Sequence, residues 1–328
     1  MMTDTGTELQ LARNLEKRLA CRRAIETAVR TGRRRNAHRD ALLLRDHIAE
    51  PILRRALQIT GLYPRGLRNA LDPVVRHLLF EFENLPESFQ GFRILHLADL
   101  HIDGVEGLAE IVAERVAHLP VDLCVMTGDY RFAMEGPCDA VYSGMATLLA
   151  GIRARHGVLA ILGNHDESNI AVELEALGVR MLINEAVEIP RGGERLWVIG
   201  VDDPHHYGCN DLDGALESVP TDAFKVLLAH SPEMFDEAAA AEIHLYLCGH
   251  THAGQICLPG IGAPLMNADC PRTYTHGRWQ HGGMLGYTSA GVGCSLLPVR
   301  YNCPPEIALI EMVKKSDSPL QEQKPLSY

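Results

Sequence analysis

The chain has 328 residues, 46% of them hydrophobic, with 31 Lys+Arg against 42 Asp+Glu and a net charge of −11. That length and apolar content support one large core, or a core with an appendage, and exclude a disordered chain. No apolar run approaches the roughly 18 to 20 residues of a membrane-spanning helix, and the opening residues lack a secretory apolar region, so a cytoplasmic protein is expected.

Nine cysteines are scattered without a Cys-x-x-Cys pair. The spacing predicts free thiols in a reducing compartment, rather than a zinc ribbon or a disulfide framework. The charge is uneven. Residues 1–90 hold 16 basic against 11 acidic side chains, and residues 91–328 hold 15 against 31. An acidic second part argues against general nucleic-acid binding, which needs a broad basic footprint. It leaves a phosphate substrate open, because bound metal ions reverse the field locally.

In chain order, residues 8–62 are rich in Ala, Leu, Arg and Glu and read as helical, with Pro51 and Pro64 as breakers. A second helical stripe is predicted over 73–83, from Val74, Val75, Leu78, Leu79 and Phe82. Together these make 1–90 a helical N-terminal extension. Its stripes, Leu53, Ala56 and Leu57 beside Arg54 and Arg55, and 74–82 with Arg76 and His77, suit either docking on anionic lipid or packing on the rest of the chain or a second subunit. From 92 the texture changes to short apolar β-type runs, each followed by a polar or glycine-rich turn: FRILHLADLH, VDLCVMTGDY, GVLAILGNHD, RLWVIGVDD, FKVLLAHSP and LYLCGHTH. Helical patterns near 106–118, 138–155 and 170–177 separate the first of them. Buried strands alternating with helices predict a layered α/β domain over 91–314, with a polar tail at 315–328.

The polar residues follow the strands directly, where loops of an α/β sheet converge on a crevice. They are Asp99 and His101, Asp129, Asn164 and His165, His230, and His250 and His252. These oxygen and nitrogen donors suit manganese, iron or zinc. In Asp99-Leu100-His101 and His250-Thr251-His252, alternate residues of an extended segment would point the same way. Gly128, Gly163 and Gly249 let backbone pass close to a crowded centre. Each motif alone is weak, and the ordered set of five is specific.

Asp-x-His, Gly-Asp, Gly-Asn-His-Asp, a strand-end His and Gly-His-Thr-His, in this order over about 92–312, resemble the five signatures of the calcineurin-like metallophosphoesterase superfamily. GHTHAGQICLPG and NCPPEIALI resemble a bacterial branch of small phosphodiesterases, which includes membrane-peripheral enzymes and a UDP-diacylglucosamine pyrophosphatase. The resemblance implies a four-layer α/β/β/α sandwich of two mixed sheets. It implies two divalent transition-metal ions, one on Asp99, His101, Asp129 and His252, and one on Asp129, Asn164, His230 and His250. Catalytic His165 would face the substrate, and a hydroxide bridging the metals would attack phosphorus in a phosphodiester or pyrophosphate, on a small substrate for which lipid-linked and nucleotide-sugar phosphates are the candidates. A phosphomonoesterase is the alternative, and a non-catalytic scaffold would show missing ligands, whereas every position is filled. Peripheral contact with the inner membrane face would run through 1–90. The phosphatase branch continues its second motif with an Asp that orients the catalytic His; here Tyr130-Arg131-Phe132-Ala133 follows Asp129, so that Asp is absent and a phosphoprotein substrate is not expected. Arg131 reads either as a phosphate ligand or as a solvated surface side chain. His205 and His206 read either as a substrate-gating loop or as an ordinary polar loop, and 255–283 as one wall of the substrate cleft.

Overall fold

The computed structural model describes residues 14–33, 50–264 and 266–315. Parts of the predicted 8–62 helical region and nearly all of the polar tail lie outside the described residues. Helices occupy Ala20–Arg30, Glu50–Ile59 and Tyr63–Ala70. Pro51 and Pro64 open the second and third of these rather than breaking a helix, because proline lacks only an N–H that the first turn leaves unused.

Two six-stranded mixed sheets follow. The first runs β1 (Val74–Phe82), β12 (Glu306–Lys314), β2 (Phe92–Leu97), β3 (Leu123–Met126), β4 (Val158–Ala160), β5 (Arg180–Met181). The second runs β10 (Gly277–His281), β11 (Met284–Thr288), β9 (Leu245–Cys248), β8 (Phe224–Leu228), β7 (Glu194–Gly200), β6 (Glu185–Arg191). In each, the central strands that lead to the motifs are parallel: β2 to β3 to β4, and β8 to β9.

Alternation along the strands sorts their side chains into layers. Leu95, Leu97, Cys124 and Met126 pack under helices Leu108–Val116, Asp139–Gly151 and Ser168–Ala176. Ile94, Leu123 and Val125 meet Val198, Val226, Leu228 and Leu247 between the sheets. Ile199, Leu227 and Tyr246 pack on the far side, against helices Leu212–Leu216 and Phe235–Ala240. The order is helix, sheet, sheet, helix, as expected.

The segment 73–83 is corrected from helix to strand. β1 pairs in parallel with β12 from Val74↔Glu306 to Phe82↔Lys314. Leu78, Phe80 and Phe82 also alternate with period two, and Phe80 and Phe82 reach the inter-sheet core. Burying a phenylalanine contributes about 1.5–3 kcal/mol, more than the few tenths by which helix propensities differ among these residues. The expectation of free thiols throughout is also corrected: Cys21 and Cys209 form a disulfide across a sequence separation of 188, which no local spacing announces. No helix among the described residues is long and apolar enough to cross a membrane.

Candidate metal centre

All seven predicted ligand residues come together at the carboxyl ends of β2, β3, β4, β8 and β9, and all are buried. Alternate residues of Asp99-Leu100-His101 and His250-Thr251-His252 do converge, but not through extended backbone. Asp99, His101, Asp129, His250 and His252 all have left-handed φ, between 37° and 71°. Each such residue costs about 1–3 kcal/mol, and their clustering at one point marks a site that the surrounding structure holds in place. The glycines serve as expected: a Cβ on Gly163 would overlap Asp129 Oδ1, and one on Gly249 would overlap Asp99 Oδ2.

Two groups of donors share Asp129. One ligand atom from each of Asp99, His101, Asp129 and His252 lies within 4.8 Å of the others, and the same holds for Asp129, His230 and His250. Asn164 Oδ1 joins the second group, 2.9 Å from both His230 Nε2 and His250 Nδ1.

Tautomers are set from behind. His101 Nδ1 donates to the Arg131 carbonyl at 2.6 Å, and His230 Nδ1 donates to the Thr127 carbonyl at 2.8 Å. A neutral ring so held turns a bare Nε2 inward. His101 Nε2 then lies 3.2 Å from His252 Nε2, and His230 Nε2 lies 3.2 Å from His250 Nδ1. Each such pair needs a proton or a metal cation between its nitrogens. The donor set therefore fits metal cations.

The electrostatics agree. Burial raises the Asp99 carboxyl to about 7. Burial also raises Asp129, but His230, His165 and His101 outweigh it and hold that carboxyl well below its usual range. Burial lowers His101 to about 3, and pushes His250 and His252 well down, so these three stay neutral. Burial lowers His230 too, yet Asp129 and Asp99 reverse this and raise it to about 10. Without metal, a proton on His230 takes the cation's place.

His165 belongs to neither group. Its Nδ1 donates to the Phe132 carbonyl at 2.8 Å, its backbone N–H to Asp129 Oδ1 at 2.9 Å, and its ring stands 4.8 Å from that of His101. A main-chain carbonyl thus orients the ring where the phosphatase branch uses an Asp. Arg131 matches neither expected reading. Its guanidinium is buried against Glu167 Oε1 (3.1 Å) and the Gly136 carbonyl (2.8 Å), and its own carbonyl orients His101.

Several participants were given no place at the centre by the sequence. Asp166 accepts from the backbone N–H groups of Asp129, Tyr130 and Gly163, which fixes two motif loops together. Arg300 is wholly buried and donates to the carbonyls of Ala290, Gly291 and Gly293 beside His252 Nδ1, 3.4 Å away. The His205 ring lies 4.2 Å from that of His250, tilted by 49°, with its Nδ1 2.7 Å from Glu233 Oε1, so this loop reaches the centre. From the long 255–283 segment, Asn267 Nδ2 comes within 3.3 Å of His250 Nε2.

The sequence pattern of the calcineurin-like phosphoesterases matches residues 92–254. Phosphodiesterase YaeI of Escherichia coli is 31% identical over 73% of this chain and 88% of its own length. The metallophosphoesterase YkuE of Bacillus subtilis is 29% identical over 76% of this chain and 88% of its own. A Bos taurus transmembrane protein with a metallophosphoesterase domain is 34% identical over 66% of this chain and 53% of its own. With the buried Asp/His cluster intact, the chain belongs to the calcineurin-like phosphoesterase family and is a metal-dependent phosphoesterase.

Proposed function

We propose that this enzyme hydrolyses a phosphodiester or pyrophosphate bond with two divalent metal ions, of manganese, iron or zinc, held in the two donor groups. The sharing of Asp129 between the groups carries the two-metal reading. Asp99, His101, Asp129 and His252 would hold one ion, and Asp129, Asn164, His230 and His250 the other. Such a pair, when bound, supplies an activated water and neutralises the phosphoryl oxygens. Asp129 keeps the two positions in register. His165, fixed at Nδ1 by the Phe132 carbonyl, acts as an imidazolium that gives its Nε2 proton to the leaving oxygen and becomes the neutral ring, a role worth about 10²- to 10⁴-fold in rate.

A diester is favoured over a monoester by the space beside the centre. A cavity of about 650 Å3 opens next to Asn164, bounded by His206, Tyr207 and helix Ala20–Arg30, and offers room for a second substituent. The relative YaeI is named a phosphodiesterase. The test is turnover by the manganese-, iron- or zinc-loaded protein of a generic aryl diester and the matching monoester, followed by nucleotide-sugar lipids. Faster diester cleavage is expected. Monoester preference, or no turnover at full metal loading, would refute the reading.

A further inference from the structure

Helix Ala20–Arg30 lies outside the family-matched segment, yet it sends a side chain into the back of the active site. Arg22 is fully buried. Its Nη1 donates to the carbonyls of Gly163 (3.0 Å) and Asp166 (2.6 Å), which flank Asn164 and His165. Its Nε and Nη2 donate to Asp202 Oδ1 at 2.9 and 2.5 Å. The guanidinium lies 3.9 Å over the Tyr207 ring. The preceding residue, Cys21, is bonded to Cys209 in the same loop that carries Asp202 and Tyr207.

The turn 163–166 is thus gripped from both sides of its backbone. Asp166 Oδ2 takes the N–H of Gly163 and of Asp129, while Arg22 takes the carbonyls. With the main chain immobilised, the side chains of Asn164 and His165 are left to face the centre. A planar guanidinium spreads its donors over three nitrogens in a fixed fork and so spans two carbonyls and a carboxylate, whereas the donors of an ammonium radiate from a single nitrogen. We propose that Arg22 is a positioning residue of this hydrolase, reaching in from the N-terminal helix to fix the placement of Asn164 and His165. The proposal rests on the hydrolase reading above, in that the turn it fixes presents a metal ligand and the proton donor. A displacement of about 1 Å in such groups lowers turnover on the order of 10²-fold.

The experiment compares full-length wild type with Arg22→Lys, Arg22→Met and Arg22→Met/Asp202→Asn. Arg22→Met strands a buried carboxylate and loses stability for that reason alone; the double variant removes that charge. Each is assayed for Tm, for kcat and KM on bis(4-nitrophenyl) phosphate, and for amide hydrogen exchange in metal-free and manganese-loaded forms. In the double variant we expect a Tm near wild type, kcat lowered roughly 10- to 100-fold with KM within about threefold, and faster exchange confined to 163–168. Arg22→Lys should fall between wild type and the double variant in kcat. The proposal is overturned if the double variant, or Arg22→Lys, keeps wild-type kcat and exchange, or if exchange rises evenly through β2 and β3, which would make Arg22 only a fold staple. A wild-type protein inert towards diesters would instead refute the diesterase reading, and exchange at 163–168 would still decide the role of Arg22.

Discussion

His230 faces Asp129 with its Nε2 3.4 Å from Oδ2, while the Thr127 carbonyl claims its Nδ1 proton. The pair is buried, and Asp129 belongs to both donor groups. One carboxylate therefore organises histidines from both sheets, and either a proton or a metal ion must complete the arrangement.

Asp129→Asn removes the charge common to both positions, so metal content should fall from about two ions per chain towards zero, with activity lost. His165→Ala should keep its metal and lose about 10²- to 10⁴-fold in turnover. Elemental analysis and rates on both proteins are the check. Metal loss in His165→Ala equal to that in Asp129→Asn would contradict the assigned roles.

His96, wholly buried on β2, is lowered by burial to about 3, against an ordinary value near 6.5. As pH falls from 6.5 towards 3 the unfolded chain takes up this proton and the folded one does not. Stability is therefore lost across that window, at up to about 1.4 kcal/mol per pH unit from this group, and is unaffected above it. His96→Gln, which can keep a bond to Thr127 Oγ1, should lose less stability than wild type between pH 6.5 and 4.5. Denaturation curves that run parallel across this range would count against the assignment.

The Cys21–Cys209 bond closes a long loop, for which about 2–4 kcal/mol of stabilisation is typical. Thiol titration of the denatured, unreduced protein should find seven reactive cysteines of the nine. Cys21→Ser/Cys209→Ser should melt several degrees lower, by about 2–4 °C per kcal/mol. Nine reactive thiols in the unreduced protein would show that the bond does not form.

Helix Glu50–Ile59 buries no residue, leaving Ile52 66% and Ile59 77% exposed on the element that carries Arg54 and Arg55. A peripheral contact with anionic lipid is proposed for it, at about 1 kcal/mol per basic residue near the surface. The protein should co-sediment with anionic vesicles at low salt and release at high salt, when the Debye length shortens. Ile59→Asp should weaken the binding. Equal sedimentation with neutral vesicles would argue against the charge-assisted mode.

The candidate metal centre was legible because its seven donors sit at the ends of five apolar strands, all but His230 beside a glycine or close to a second donor, so local order in the chain mirrors order in space. The alternation of short strands and helices likewise announced a layered α/β domain, and the second sheet was implied only by the family resemblance. β1 was misread because its apolar residues satisfy both periods, and only the partner strand β12, more than 200 residues away, chooses between them. The same limit hid Arg22 on Asp202, Cys21 on Cys209 and His205 on Glu233. A sequence displays what one segment prefers by itself. Which buried arginine meets which carbonyl depends on where distant segments are placed once the core has closed, and that placement is decided by packing in three dimensions.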